Sequence, residues 1–186
     1  MIGNHDTWLQ DWLYTGDISN AWKRNGGKKT VVDIHYRHNL EKEERLKIAD
    51  WLHSLPLVII EDRYLITHGG PPHRRTLKDM EDYAKAERPR ISRCNAYDKW
   101  DESCIWDRDY MLSAYSASHP EVKDQIFMEA EPMDAGGRMI FVGHTPTSDN
   151  KPFISRKYNL VALDTGAGHG GPLTIMDMDT LIYWQA

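Results

Sequence analysis

Three short strings set far apart in the chain place metal-ligating side chains in glycine-flanked turns: Gly3-Asn4-His5-Asp6, Thr67-His68-Gly69-Gly70 and Val142-Gly143-His144-Thr145-Pro146. The second and third follow strand-like apolar runs, Tyr64-Leu65-Ile66-Thr67 and Met139-Ile140-Phe141-Val142, so each delivers an imidazole to the end of a sheet strand, where ligands gather in α/β folds. Asparagine offers a neutral carbonyl oxygen and histidine a neutral nitrogen. Together they suit a borderline divalent ion such as manganese, iron, zinc or cobalt better than calcium or magnesium. Asn4, His68 and His144 are therefore candidate ligands of one ion. Each taken singly reads more readily as a structural turn residue, and it is the three matching contexts that carry the reading. His5 is a candidate general acid for a leaving-group oxygen, with Asp6 placed to orient its imidazole. From spacing alone, a helix-capping Asp6 beside a solvated His5 is the equal alternative.

The elements that must position these residues follow from local patterns. Asp6 is a plausible N-cap for a helix through Thr7–Leu13 that runs to Gly16. Asn25-Gly26-Gly27 marks a turn, and Leu46, Ala49, Leu52 and Leu55 predict an amphipathic helix over 40–55 that Pro56 ends. Leu57–Ile60 and Tyr64–Thr67 predict a hairpin about Glu61-Asp62-Arg63. From Arg74 to about Gly137 the chain is charged and broken by Pro89, Pro120 and Pro132, which predicts helices and long loops that cover the site. Five short strands then follow, at 139–142, 152–155, 160–163, 173–176 and 181–184, and their spacing predicts an antiparallel sheet. Asp177-Met178-Asp179-Thr180 is the expected turn of a terminal hairpin. The expected class is α/β, with sheets layered between helices (an α+β layering), in one domain over 1–186.

Composition narrows the function. The 186 residues, 40% hydrophobic, can bury a sizeable core. The net charge is -5 and the 23 basic residues are mostly dispersed, which argues against nucleic acid as the main partner. No apolar stretch approaches the roughly 18 residues a membrane span needs, and the N-terminus lacks a signal-peptide pattern, so a cytoplasmic location is expected. Cys94 and Cys104 lack CxxC spacing and are expected to be incidental reduced thiols.

The three metal-ligand strings resemble the later motifs of the calcineurin-like metallophosphoesterases. More narrowly, Trp22-Lys23-Arg24-Asn25-Gly26-Gly27, Ile105-Trp106-Asp107-Arg108-Asp109, Leu163-Asp164-Thr165-Gly166-Ala167 and Tyr183-Trp184-Gln185-Ala186 resemble the bacterial and phage branch of serine/threonine protein phosphatases. The resemblance implies a β-sandwich flanked by helices. It also implies that Asn4, His68 and His144 bind the second of two divalent ions (manganese, iron or zinc), that His5 acts as general acid with Asp6 as its partner, and that Arg108 grips the substrate phosphate. Read without the family, Arg108 between Asp107 and Asp109 is a surface ion-pair residue. The reaction implied is attack of a metal-bridging hydroxide on a phosphoprotein or a phosphorylated small molecule.

The family's opening Asp-x-His and Gly-Asp-x-x-Asp-Arg-Gly motifs do not occur here. Asp33-Ile34-His35 matches the first in letters but follows the Asn-His-Asp string, and is read as coincidence. His169 stands between Gly168 and Gly170-Gly171, where a solvated loop residue is expected ahead of a substrate contact. The expectation is the C-terminal portion of a longer phosphatase that keeps ligands for one ion, is slow or inactive alone, and self-associates through uncovered sheet surface. Rival expectations are a symmetrical dinucleoside tetraphosphatase and a non-catalytic phosphoprotein-binding module. A second chain supplying the missing carboxylates is a further, weaker one.

Overall fold

The structure, a computed structural model, describes residues 1–87, 103–119 and 129–186. Cys94, Pro89 and Pro120 lie outside the described residues. The chain mixes helices and sheets and divides into two compact units, one formed by Met1–Pro56 with the described residues 86–87, the other by Leu57–Lys85 with the described residues from 103 onward. No helix among the described residues is long and apolar enough to cross a membrane.

In the first unit, α1 (Asn4–Thr15) ends at Gly16, whose φ of 81° is a left-handed C-cap that donates its N–H to Trp12 O at 2.7 Å. Its start corrects the sequence reading: Gly3 is the N-cap, and Asp6 lies at the third helical position. From there the Asp6 carboxylate reaches back to accept the Gly3 N–H at 2.9 Å and meets the positive helix end. Two short helices, α2 (Asn20–Trp22) and α3 (Lys28–Val32), flank the expected turn, where Asn25 and Gly26 leave helical φ/ψ. A side chain at Gly27 would collide with the buried Trp22 ring, a Cβ there falling 2.4 Å from it. The Asp33 carboxylate pairs with Arg37 at 3.2 Å. α4 (Lys42–Ser54) stops where Leu55, ahead of Pro56, turns extended. It packs against α1, and Trp8, Trp12, Trp22, Ala49 and Leu52 form the buried interior of this unit.

The second unit carries a five-stranded sheet of β1 (Val58–Ile60), β2 (Tyr64–Thr67), β3 (Met139–Val142), β4 (Phe153–Ser155) and β5 (Leu160–Ala162), in the order β1-β2-β3-β5-β4. The β1–β2 hairpin is antiparallel as expected, as is the edge pair β4–β5. At the centre, however, β2 pairs with β3 and β3 with β5 in parallel, which corrects the expected antiparallel sheet. The connections leaving β2 and β3 are long enough for the chain to return to the starting end before the next paired strand. Burial agrees, since β5 is buried throughout and β3 over Ile140–Val142. Helices α5 (Leu77–Lys85), α6 (Ser103–Trp106) and α7 (Asp109–Ser116) fall in the charged segment, α5 packing on β1 and α7 on β4 and β5. The terminal hairpin of β6 (Thr174–Met176) and β7 (Tyr183–Gln185) forms around the Asp177 carboxylate, which accepts the N–H groups of Asp179 and Thr180. Its Ile175–Trp184 cross-strand pair is exposed.

Candidate functional site

Parallel pairing puts the carboxyl ends of β2 and β3 side by side, and each is followed at once by a histidine turn. The Gly143 N–H donates to His68 O at 2.8 Å, extending the ladder one step past the strands. The His68 and His144 ring centroids stand 5.1 Å apart with an interplanar angle of 58°. Two imidazoles on one ion, with metal–nitrogen bonds of about 2.1 Å, place their centroids about 4.5–5.3 Å apart, a range that includes the observed spacing. Among the described residues no group of three or more His, Cys, Asp or Glu is placed to hold a metal.

His144 occupies strained backbone. Its φ is 63°, and the Thr145 N–H reaches across it to Gly143 O at 2.6 Å, closing a three-residue turn. Such a conformation in a residue other than glycine costs on the order of 1–3 kcal/mol and persists only where surroundings enforce it. Two neighbours do so: Trp106 sets its ring edge-to-face with the His144 imidazole at 6.0 Å, and Arg108 Nη1 donates to His144 O at 3.2 Å. Arg108 Nη1 also lies 3.5 Å from Thr145 Oγ1. The exposed guanidinium is thereby tethered beside the histidine pair while keeping further N–H donors.

The glycines after His68 are there because the chain around Asp107 lies against them. A Cβ on Gly69 would come within 2.9 Å of backbone atoms of Asp107 and Cys104, and one on Gly70 within 2.6 Å of Asp107 Oδ1. The Gly69 N–H and the Thr67 hydroxyl both donate to Cys104 O, at 2.8 Å each. Asp107 Oδ1 accepts the Tyr110 N–H at 3.0 Å, capping the first turn of α7. Burial raises the Asp107 carboxyl to about 7; the Tyr110 N–H opposes the shift and the neighbouring Asp109 adds to it. Asp107 was legible only as a letter beside Arg108. Its burial under the Gly69-Gly70 turn is what the sequence reading missed.

On the other side, the Thr147 N–H donates to Asp164 O at 2.9 Å, and Asn150 Nδ2 donates to Thr165 O at 3.0 Å. The His144 loop is thus stitched to the loop after β5. His169 sits exposed there, in a short turn closed by the Gly171 N–H on Gly166 O.

Asn4, His5 and Asp6 belong to the first unit and His68, Arg108 and His144 to the second. Asn4 is buried, and its backbone oxygen accepts the Thr7 hydroxyl. Consecutive helical positions project to different sides: the exposed His5 sets its ring edge-to-face with Trp8 at 5.1 Å, while Asp6 folds back on Gly3.

Comparison of the chain with models of known protein families and with curated protein sequences finds no match.

Proposed function

We propose that the chain is part of a metal-dependent phosphomonoester hydrolase of the serine/threonine protein phosphatase kind. The observation that carries this reading is the histidine pair at adjacent parallel strand ends, with Arg108 tethered beside it. His68 and His144 would hold the ion, and the resemblance adds Asn4 to the donor set. The ions of such a site supply Lewis acidity and an activated water. Arg108 contributes a planar donor fork matched to two phosphoryl oxygens. His5 is assigned the proton for the leaving oxygen, while Asp6 is engaged with the Gly3 N–H instead of the His5 ring. The same proposal includes the finer fold, a metallophosphoesterase sandwich flanked by helices. It draws support from the five-stranded sheet and from the terminal hairpin joined to it through Thr165 and Thr174 hydroxyls 2.6 Å apart. With ligands for one ion of two, turnover by this chain is slow.

The test is hydrolysis of p-nitrophenyl phosphate with added manganese, repeated with chelator and with His144→Ala, alongside calorimetric manganese titration of both proteins. Manganese binding that is lost in His144→Ala, with any turnover lost in parallel, is expected. Equal manganese affinity in the two proteins would refute the reading.

A further inference from the structure

Immediately after Gly69-Gly70 the chain enters one wall of a cavity of about 710 Å³ whose second wall is residues 129–136. This volume is that of a ligand-sized site. Its floor includes the buried Pro72, Tyr110 and Met133. Tyr110 also connects the cavity to the histidine turn, because a Cβ on Gly70 would come within 2.9 Å of the Tyr110 Cβ.

The second wall is held in place before any ligand arrives. The Ala130 N–H donates to Ser113 Oγ at 2.9 Å, the Tyr158 hydroxyl donates to Ala130 O at 3.1 Å, and the Met133 N–H donates to the Tyr110 hydroxyl at 3.1 Å. Tyr110 in turn donates to Tyr158 O at 3.0 Å, and its rim neighbours Glu129 and Glu131 are exposed.

Charge decides what such a cavity accepts. Arg74, Arg75 and Lys78 line the cavity together with Glu129, Glu131 and Asp134. The cationic side is partly engaged already: Lys78 Nζ bonds Asp82 at 2.6 Å, and the Arg75 guanidinium lies 5.9 Å from the centroid of the Tyr83 ring. Asp134 accepts the Gly136 N–H at 2.9 Å. With Lys78 balanced by Asp82, the three carboxylates Glu129, Glu131 and Asp134 outnumber the two remaining cations, Arg74 and Arg75, and Glu129 and Glu131 form an acidic pair beside the apolar Met133 and Pro72. A lysine or arginine side chain satisfies both at once, its methylenes on Met133 and its charge on the carboxylates. A polyphosphate would meet the same carboxylates as repulsion.

We infer that this cavity holds a polypeptide segment bearing a basic residue, which docks against Glu129 and Glu131. In taking that segment to be the flanking sequence of a phosphoprotein substrate, the inference rests on the phosphatase reading. It thereby selects polypeptide over dinucleoside polyphosphate as the substrate class.

The test is fluorescence anisotropy with an unphosphorylated fluorescein-labelled peptide of lysines, leucines and serines, on the wild-type chain and on the isosteric double variant Glu129→Gln/Glu131→Gln. Affinity for the variant is expected to fall about three- to tenfold, as for two partly exposed ion pairs, while Arg74→Gln binds at least as well as wild type. Equal binding by wild type and the double variant would overturn the inference. So would a glutamate-for-lysine peptide binding as tightly, or displacement by diadenosine tetraphosphate at lower concentration than by unlabelled peptide. Charge-selective peptide binding in a chain whose manganese affinity ignores His144→Ala would sink the phosphatase reading and leave the cavity standing. The reverse pattern would sink the cavity alone.

Discussion

Replacing Asp107 by asparagine should make the protein more stable at alkaline pH and leave it unchanged in acid. Burial raises the carboxyl from 3.8 to about 7 in the folded chain, so between those values the folded state retains a proton that the unfolded state has released. Stability therefore falls as pH rises through that window, and the full cost of burying the carboxylate is felt above pH 7. A shift of about three units at about 1.36 kcal/mol each gives about 4 kcal/mol as an upper figure, and partial solvent access brings the expected gain to about 2–3 kcal/mol. Asparagine is isosteric and neutral at every pH. Its Oδ1 still accepts the Tyr110 N–H, now at 3.0 Å, and still lies against Gly70. Urea unfolding followed by tryptophan fluorescence, in chelator, at about pH 4 and about pH 8.5, measures the difference. A gain of equal size at both pH values, or a loss at the higher one, would refute the assignment of a buried, reluctantly ionised carboxyl.

Two further substitutions probe the packing that holds the site. Gly70→Ala forces a methyl to within 2.6 Å of Asp107 Oδ1 and 2.9 Å of the Tyr110 Cβ, an overpacking expected to cost about 1–3 kcal/mol and to weaken manganese binding through displacement of His68; unchanged urea midpoint and metal affinity would contradict it. Tyr110→Phe removes the acceptor of the Met133 N–H and the donor to Tyr158 O, stranding buried backbone groups at about 1–3 kcal/mol. Burial pushes the Tyr110 phenol up to about 12, so the hydroxyl donates across the ordinary pH range, and the loss should be the same at pH 6 and pH 9 in paired urea titrations.

What could be read beforehand was whatever rests on neighbours in sequence. The 3.6-residue spacing of Leu46, Ala49 and Leu52, the break at Pro56, the glycine stop at Gly16 and the apolar runs before His68 and His144 all act within a few residues, and the elements formed there. Strand partnership was not legible, because β2 meets β3 only after a long intervening segment and the strand residues look alike in either orientation. The N-cap of α1 was misplaced for a smaller reason of the same kind: aspartate is favoured both at the cap and at the third position, and only the bond to the Gly3 N–H distinguishes them. The histidine turns were visible as candidates from their letters. That they meet depends on the parallel register, and the reluctance of Asp107 to ionise depends on a glycine turn far away in the chain.

That register also fixes when the site comes into being. No local segment contains both imidazoles, so the pair exists only after the chain has closed the whole connection from β2 to β3, the kind of non-local pairing that folds slowly. An ion that needed both histidines would therefore bind only chains that have completed the parallel core. During refolding, manganese affinity should appear after helical signal has recovered, making the ion a clock for the last step of assembly.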